Sequence, residues 1–169
     1  MAARNGADGV VILGVDPGTA VTGYGVVARR DNGAYTLLEC GVVRTSAGAA
    51  LPSRIREIFE TIQDVIARFE PAIVSVEEVF QGKNVKSALT LGHARGAILL
   101  AAALDDVAIA EYTPRQIKKA VVGTGDATKT QVAFMVKERL RLRSAPTPSD
   151  AADGIAAALC HLLLGKATL

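Results

Sequence analysis

The chain has 169 residues, 50% hydrophobic and 21% charged, which excludes disorder as the main state and fits one domain able to bury roughly 70% of its unfolded surface. A formal net charge of +2 excludes a uniformly polybasic or polyacidic protein. The two cysteines, Cys40 and Cys160, are too far apart for a disulfide framework or a zinc site and are expected to be reduced core residues.

Residues 1–9 carry no apolar run of the signal-peptide kind, so they are expected to be a flexible extension of a cytoplasmic protein whose single domain spans 10–169. An apolar run at 10–15 predicts a first strand, ending at Asp16-Pro17-Gly18-Thr19. Residues 22–30 alternate and meet Asp31-Asn32-Gly33, a hairpin signal, before a third strand over 35–44. From Ile55 to Phe69 apolar residues recur at helical spacing up to Pro71. Residues 72–79 read as a strand, 84–104 as a helix and 107–112 as another strand. The longest apolar stretch, 97–104, is well short of the roughly 18 residues of a membrane span and reads as a buried helix, with no membrane role. Thr113-Pro114 predicts a capped helix toward Ala120, residues 129–140 another, and Thr147-Pro148 a third running to about Leu164. The order βββαβαβααα predicts an α/β fold: three antiparallel strands, then parallel strands, flanked by helices.

Charge is unevenly spread. Residues 81–143 hold 11 Lys/Arg against 5 Asp/Glu, whereas 1–80 hold 7 against 10. A basic middle beside acidic segments suggests an anion-binding surface next to a carboxylate site, although solvated helix faces give the same count.

Three acidic positions could bear chemistry. Asp16 ends the first strand at a sheet edge, where it can hold a metal, yet Asp-Pro-Gly is also an ordinary turn. Glu77 and Glu78 lie on an apolar strand that points them to opposite faces, so only one can join Asp16, and periodicity does not say which. Asp150 and Asp153 share one helix face, about 5 to 6 Å apart at Cβ, and would also offset the helix dipole. His161, almost two turns beyond Asp153 among leucines, reads as packed. Four converging carboxylates require cations, and hard oxygen donors favour Mg²⁺, with Mn²⁺ as a substitute; two such ions can clamp the attacking and leaving oxygens of a phosphodiester. Residues 123–130, Gly-Thr-Gly-Asp-Ala-Thr-Lys-Thr, nearly match a phosphate loop but have Thr128 in place of its second glycine and no preceding strand.

Several ordered blocks carry a family resemblance. They are Val-Asp-Pro-Gly-Thr (15–19), Thr-Gly-Tyr-Gly-Val (22–26), Leu-Pro-Ser-Arg (51–54), Val-Glu-Glu-Val-Phe (76–80), Lys-Asn-Val-Lys-Ser-Ala-Leu (83–89), Leu-Gly-His-Ala-Arg-Gly (91–96), Arg-Gln-Ile-Lys (115–118), Val-Val-Gly (121–123) and Ser-Asp-Ala-Ala-Asp-Gly (149–154). Together they resemble the RuvC family of crossover (Holliday) junction endonucleases over about residues 10–164. The resemblance implies a ribonuclease H-like fold, a homodimer, Mg²⁺-dependent paired nicking of four-way junction DNA, and cooperation with the RuvA and RuvB branch-migration proteins. It also implies an acidic tetrad of Asp16, Glu77, Asp150 and Asp153, choosing Glu77 over Glu78. A basic pair near the cleft corresponds to Lys118 and Lys129, and a loop aromatic to Phe80, with Lys83 and Asn84 beside it facing DNA. Two other expectations compete: a related nuclease with another structured nucleic-acid substrate, and a non-catalytic actin-like nucleotide-binding module, which uses a similar Asp-x-Gly-Thr turn. On the dimer, Leu91, Ala94, Ala97, Ile98 and Ala101 are the expected interface positions, with packing inside one chain as the alternative.

Overall fold

The computed structural model describes residues 9–78 and 85–165. Ten elements follow in chain order: β1 (Val10–Asp16), β2 (Val21–Arg29), β3 (Tyr35–Arg44), α1 (Leu51–Phe69), β4 (Ile73–Glu77), α2 (Val85–Leu104), β5 (Ala108–Tyr112), α3 (Pro114–Val122), α4 (Lys129–Arg139) and α5 (Ser149–Leu164). Number and order are those expected from the sequence.

The strands form one sheet in the order β3-β2-β1-β4-β5. β1, β2 and β3 pair antiparallel, whereas β4 runs parallel to β1 and β5 parallel to β4. The Asp-Asn-Gly hairpin closes with Arg30 and Gly33 amides donating to Ala34 and Arg30 carbonyls, each at 2.8 Å.

Alternation along the strands sends apolar side chains to both faces, and a core lies on each. On one face, Leu13, Val15, Val74 and Val76 pack with Ile58, Ile62, Val65 and Ile66 of α1 and with Ala94, Ile98 and Ala101 of α2. On the other, Ile12 and Tyr112 pack with α3, α4 and α5. Most of α5 is buried, from Ala151 to Leu162 apart from Asp153.

Helix α5 lies unusually close to the sheet. A Cβ at Gly14 would stand 2.2 Å from the Ala158 amide nitrogen and the Gly154 carbonyl oxygen, and one at Gly23 only 1.8 Å from the Asp150 carbonyl oxygen. Only a strand that lacks a side chain at these points lets the helix backbone lie against it. The Ser75 hydroxyl donates to the Ala157 carbonyl at 2.7 Å, fastening β4 to the same helix.

Three sequence expectations need correction. Helix α1 begins at Leu51, with Pro52 in its first turn and Ala50 as a cap without a side-chain hydrogen bond, so no polar cap marked the extra turn before Ile55. Helix α5 begins at Ser149 with Pro148 itself at the cap position, and no side chain caps it; Thr147 is therefore not the N-cap. Helix α2 is long and apolar enough to cross a membrane by length and composition; it packs on α1 and is not buried all round. Ala94, Ala97, Ile98 and Ala101 lie inside against α1, while Leu100 and Leu104 are exposed. The small residues expected at a dimer interface, Leu91 excepted, thus belong to this chain's own core.

Cys160 is buried in the core and Cys40 lies at its margin, with no disulfide between them. His161 is packed, as read: the Tyr112 hydroxyl lies 2.8 Å from its Nδ1, and burial lowers its pKa. Residues 123–128 link α3 to α4, and 129–130 open α4. Gly123 closes α3, and Thr128 caps α4 by accepting from the Gln131 amide, which leaves no strand-to-helix phosphate loop.

Candidate active site

Parallel pairing of β1 with β4 aligns Val15 with Val76, so the next residues, Asp16 and Glu77, emerge side by side at the carboxyl ends of adjacent strands. Val15 and Val76 point into the core under α1 and α2. Alternation therefore turns both carboxylates toward α5, and Glu78 toward the opposite, exposed side. The choice that periodicity leaves open in the sequence falls on Glu77.

The cleft so formed has a volume of about 180 Å³ and is lined by Asp16, Glu77 and Asp153 together with Lys118 and Lys129. Lys118 comes from α3, Lys129 is the first residue of α4, and Asp153 lies on the second turn of α5. Pro114, Ile117, Val132 and Ala156 supply apolar walls that sequence patterning shows only as helix positions. Asp150, one turn before Asp153, stands at the edge and does not line the cleft. Phe80, Lys83 and Asn84, like the extension 1–8, lie outside the described residues.

Burial among like charges dominates the electrostatics. Asp16 is raised to about 6, chiefly by desolvation and then by Asp153, with Lys129 opposing and Asp150 adding least. Glu77 is raised to about 8 by desolvation and by Asp16 and Asp153, against the pull of Lys129 and Lys118. The Lys129 Nζ donates to Asp153 Oδ2 at 2.8 Å, and this bond raises the lysine pKa. Only 16% of the Asp153 side chain is exposed, against 70% for Lys129, so the lysine can swing away while the aspartate stays.

Among the described residues no three acidic, imidazole or thiol groups are already closed on one point tightly enough to hold a metal. The donor chemistry nevertheless fits a hard divalent cation. All candidate donors are carboxylate oxygens, two are held above their ordinary pKa by burial and by neighbouring carboxylates, and an ammonium stands against a third.

Comparison with known proteins decides the family. The family model described as crossover junction endodeoxyribonuclease RuvC matches residues 12–161. The chain belongs to the RuvC family. A RuvC from Pelotomaculum thermopropionicum is 47% identical over 152 residues, which cover 90% of this chain and 92% of that protein. The structure is similar to Thermus thermophilus RuvC at a TM-score of 0.85 and 39% identity, covering 92% of this chain and 95% of that one. It is similar also to T. thermophilus RuvC in complex with a Holliday junction substrate, at a TM-score of 0.84 and 36% identity over the same shares. The mixed sheet flanked by helices is the ribonuclease H-like RuvC fold that the sequence blocks implied.

Proposed function

We propose that this protein is a structure-selective endonuclease that resolves four-way DNA junctions by paired, symmetric hydrolytic nicks in recombination and repair. The observation that carries the reading is the convergence of Asp16, Glu77 and Asp153 with two lysines in one cleft, in a chain of the RuvC family.

Asp16, Glu77 and Asp153, with Asp150 at the margin, would hold Mg²⁺, two ions per site, with Mn²⁺ able to replace it. Bound there, the cation would activate water and stabilise charge on the scissile phosphate. The residues themselves do the rest. The apolar walls restrict water, and Lys118 and Lys129 offset charge that builds on the phosphate. The excess of Lys and Arg over 81–143 engages the backbone of the duplex arms without reading sequence. Phe80 would stack on a base where pairing is broken at the crossover, with Lys83 and Asn84 contacting the adjoining backbone.

Lys129→Met separates the lysine's two tasks. Cleavage is expected to fall about tenfold or more through lost charge stabilisation, while the Mg²⁺ concentration giving half the maximal rise in Tm falls, because one cation no longer competes at Asp153. Weaker Mg²⁺ binding in the variant would show that the lysine instead organises the carboxylates.

Two nicks related by a twofold axis call for two equivalent sites, hence a homodimer. Its surface would be the outward face of α2, where Val85, Leu89, Leu100 and Leu104 are exposed. Between them Gly92 and Gly96 have open space above their Cα atoms, a notch into which a second copy of the helix can settle. Leu89→Arg with Leu100→Arg is expected to yield a folded monomer that leaves single nicks, as read by analytical ultracentrifugation and denaturing gels. A dimer that survives both changes would move the interface elsewhere. RuvA and RuvB would be the branch-migration partners, and the cytoplasm, where the DNA lies, the site of action.

The decisive experiment offers a synthetic four-way junction, a matched duplex and an RNA:DNA hybrid with and without Mg²⁺, with ATP binding measured in parallel by calorimetry. Cleavage confined to the junction with Mg²⁺ supports the reading. Preference for the hybrid, or ATP binding without cleavage, would replace it by one of the two competing functions.

A further inference from the structure

The turn that follows Asp16 is fastened from three sides. Inside it, the buried Thr22 hydroxyl donates to the Gly18 carbonyl at 2.6 Å and accepts from the Gly18 amide at 3.3 Å. Outside, the Thr19 carbonyl accepts from the Thr45 hydroxyl just beyond β3 and, at 2.6 Å, from Nη2 of Arg54 on α1. The Arg54 Nε donates to the same Thr45 hydroxyl at 2.9 Å, and the Thr45 amide donates to the Ala20 carbonyl at 3.1 Å.

Arg54 thus makes no ion pair with a carboxylate among the described residues. Its forked guanidinium joins a main-chain carbonyl in the Asp16 turn to a hydroxyl next to β3, two acceptors that the shape of arginine spans and a single ammonium does not. Nor does it stand among the charges that act most on Asp16, which include Asp153, Lys129 and Asp150.

We propose that Arg54, with Thr45, is a positioning residue that clamps the 17–20 turn and so holds Asp16 in place against repulsion from the other carboxylates. A carboxylate beside Glu77 and Asp153 gains by backing out of the cleft, and Asp16 is the last residue of β1, so the turn that follows it must be held for the carboxylate to stay. The clamp acts on the backbone, leaving the Asp16 oxygens open to a cation. This inference rests on the proposed role of Asp16 as a metal-holding carboxylate.

The test uses the full-length protein, a four-way junction, and the variants Arg54→Ala, Arg54→Lys, Thr45→Val and Asp16→Asn. Arg54→Ala is expected to cut kcat about tenfold to a hundredfold, with junction Kd and its salt dependence unchanged. In the absence of DNA, the Mg²⁺ concentration for half the maximal rise in Tm should increase several-fold. Thr45→Val should reproduce both effects at smaller size, and Arg54→Lys should restore little, because it cannot reach both acceptors. Unchanged kcat and Mg²⁺ response in both Arg54→Ala and Thr45→Val, with Asp16→Asn inactive, would overturn the clamp alone. A weaker Kd with a salt slope reduced by about one charge would make Arg54 a phosphate contact instead. Full activity in Asp16→Asn would overturn the site reading itself.

Discussion

Asp16→Asn and Glu77→Gln are expected to abolish junction cleavage and, at the same time, to make the metal-free protein more stable at pH 8. Both carboxyl groups are held above their ordinary pKa, at about 6 for Asp16 and about 8 for Glu77. A folded-state pKa above the unfolded value means that the native state holds its protons longer than the unfolded chain does. The stability associated with each proton is complete below the unfolded pKa, near 4, and is lost as pH rises through 6 for Asp16 and 8 for Glu77. The loss at full ionisation is roughly a few kcal/mol for the pair. Melting curves in chelator between pH 5 and pH 8.5 should therefore slope downward for the wild type and less steeply in either neutral variant, where one raised carboxyl still titrates, while Mg²⁺ should restore the wild type and do little for the variants. Asp153→Asn should also abolish cleavage but gain less stability, because it gives up the 2.8 Å bond to Lys129. A fall in the metal-free Tm of Asp16→Asn at pH 8 would show that the carboxylate is a structural hydrogen-bond acceptor.

The largest effect on the fold is expected from Gly23→Ala. The added methyl would meet the Asp150 carbonyl oxygen at 1.8 Å, a main-chain atom within a helix that cannot turn aside. Either α5 lifts from the sheet or β2 bends away, and each route opens the core formed by Ile155, Leu159 and their neighbours. A cost of about 3 kcal/mol or more follows, near 10 °C in Tm for a chain of this size. Since Gly23 is the pairing partner of Asp16, the same shift moves Asp150 and Asp153 relative to Asp16, and cleavage should fall even where the protein remains folded. Gly48→Ala, whose Cβ would meet nothing closer than the Ser46 hydroxyl at 3.9 Å, is the control and should leave Tm nearly unchanged. Equal behaviour of the two variants would show that the helix is free to ride on the sheet.

The sequence made strand and helix order readable because the apolar period changes cleanly from two to 3.6 along the chain, as in the run from Ile55 to Phe69. It marked the acidic positions too, since an aspartate at a strand end and two aspartates three apart on a helix are visible without any contact map. Other features resisted for physical reasons. Apolar residues surround α2, so no period separates its core side at Ala94 and Ile98 from its exposed side at Leu89 and Leu100. The Thr147-Pro148 pair predicts proline as the first helical residue, and only the backbone shows it at the cap. Arg54 stands in the Leu-Pro-Ser-Arg block with no role attached, because its acceptors are a hydroxyl nine positions and a main-chain carbonyl 35 positions away, and side chains that serve distant backbone follow no local pattern. The depth at which α5 lies depends on what Gly14 and Gly23 lack, and pattern reading counts side chains.

The dependence on α5 also bears on the order in which the proposed site would assemble as the chain is made. Asp16 leaves the ribosome early and Glu77 next, but Asp150 and Asp153 are carried by the last helix, and a hydroxyl on β4 finds its carbonyl partner 82 residues further along. Such non-local closure is slow and comes late. A chain made only as far as α4 would carry the basic stretch of its middle, yet only half of the proposed acidic centre and an open sheet face. On the proposed function such a chain would meet DNA before it could cut, and the docking of α5 would complete the site.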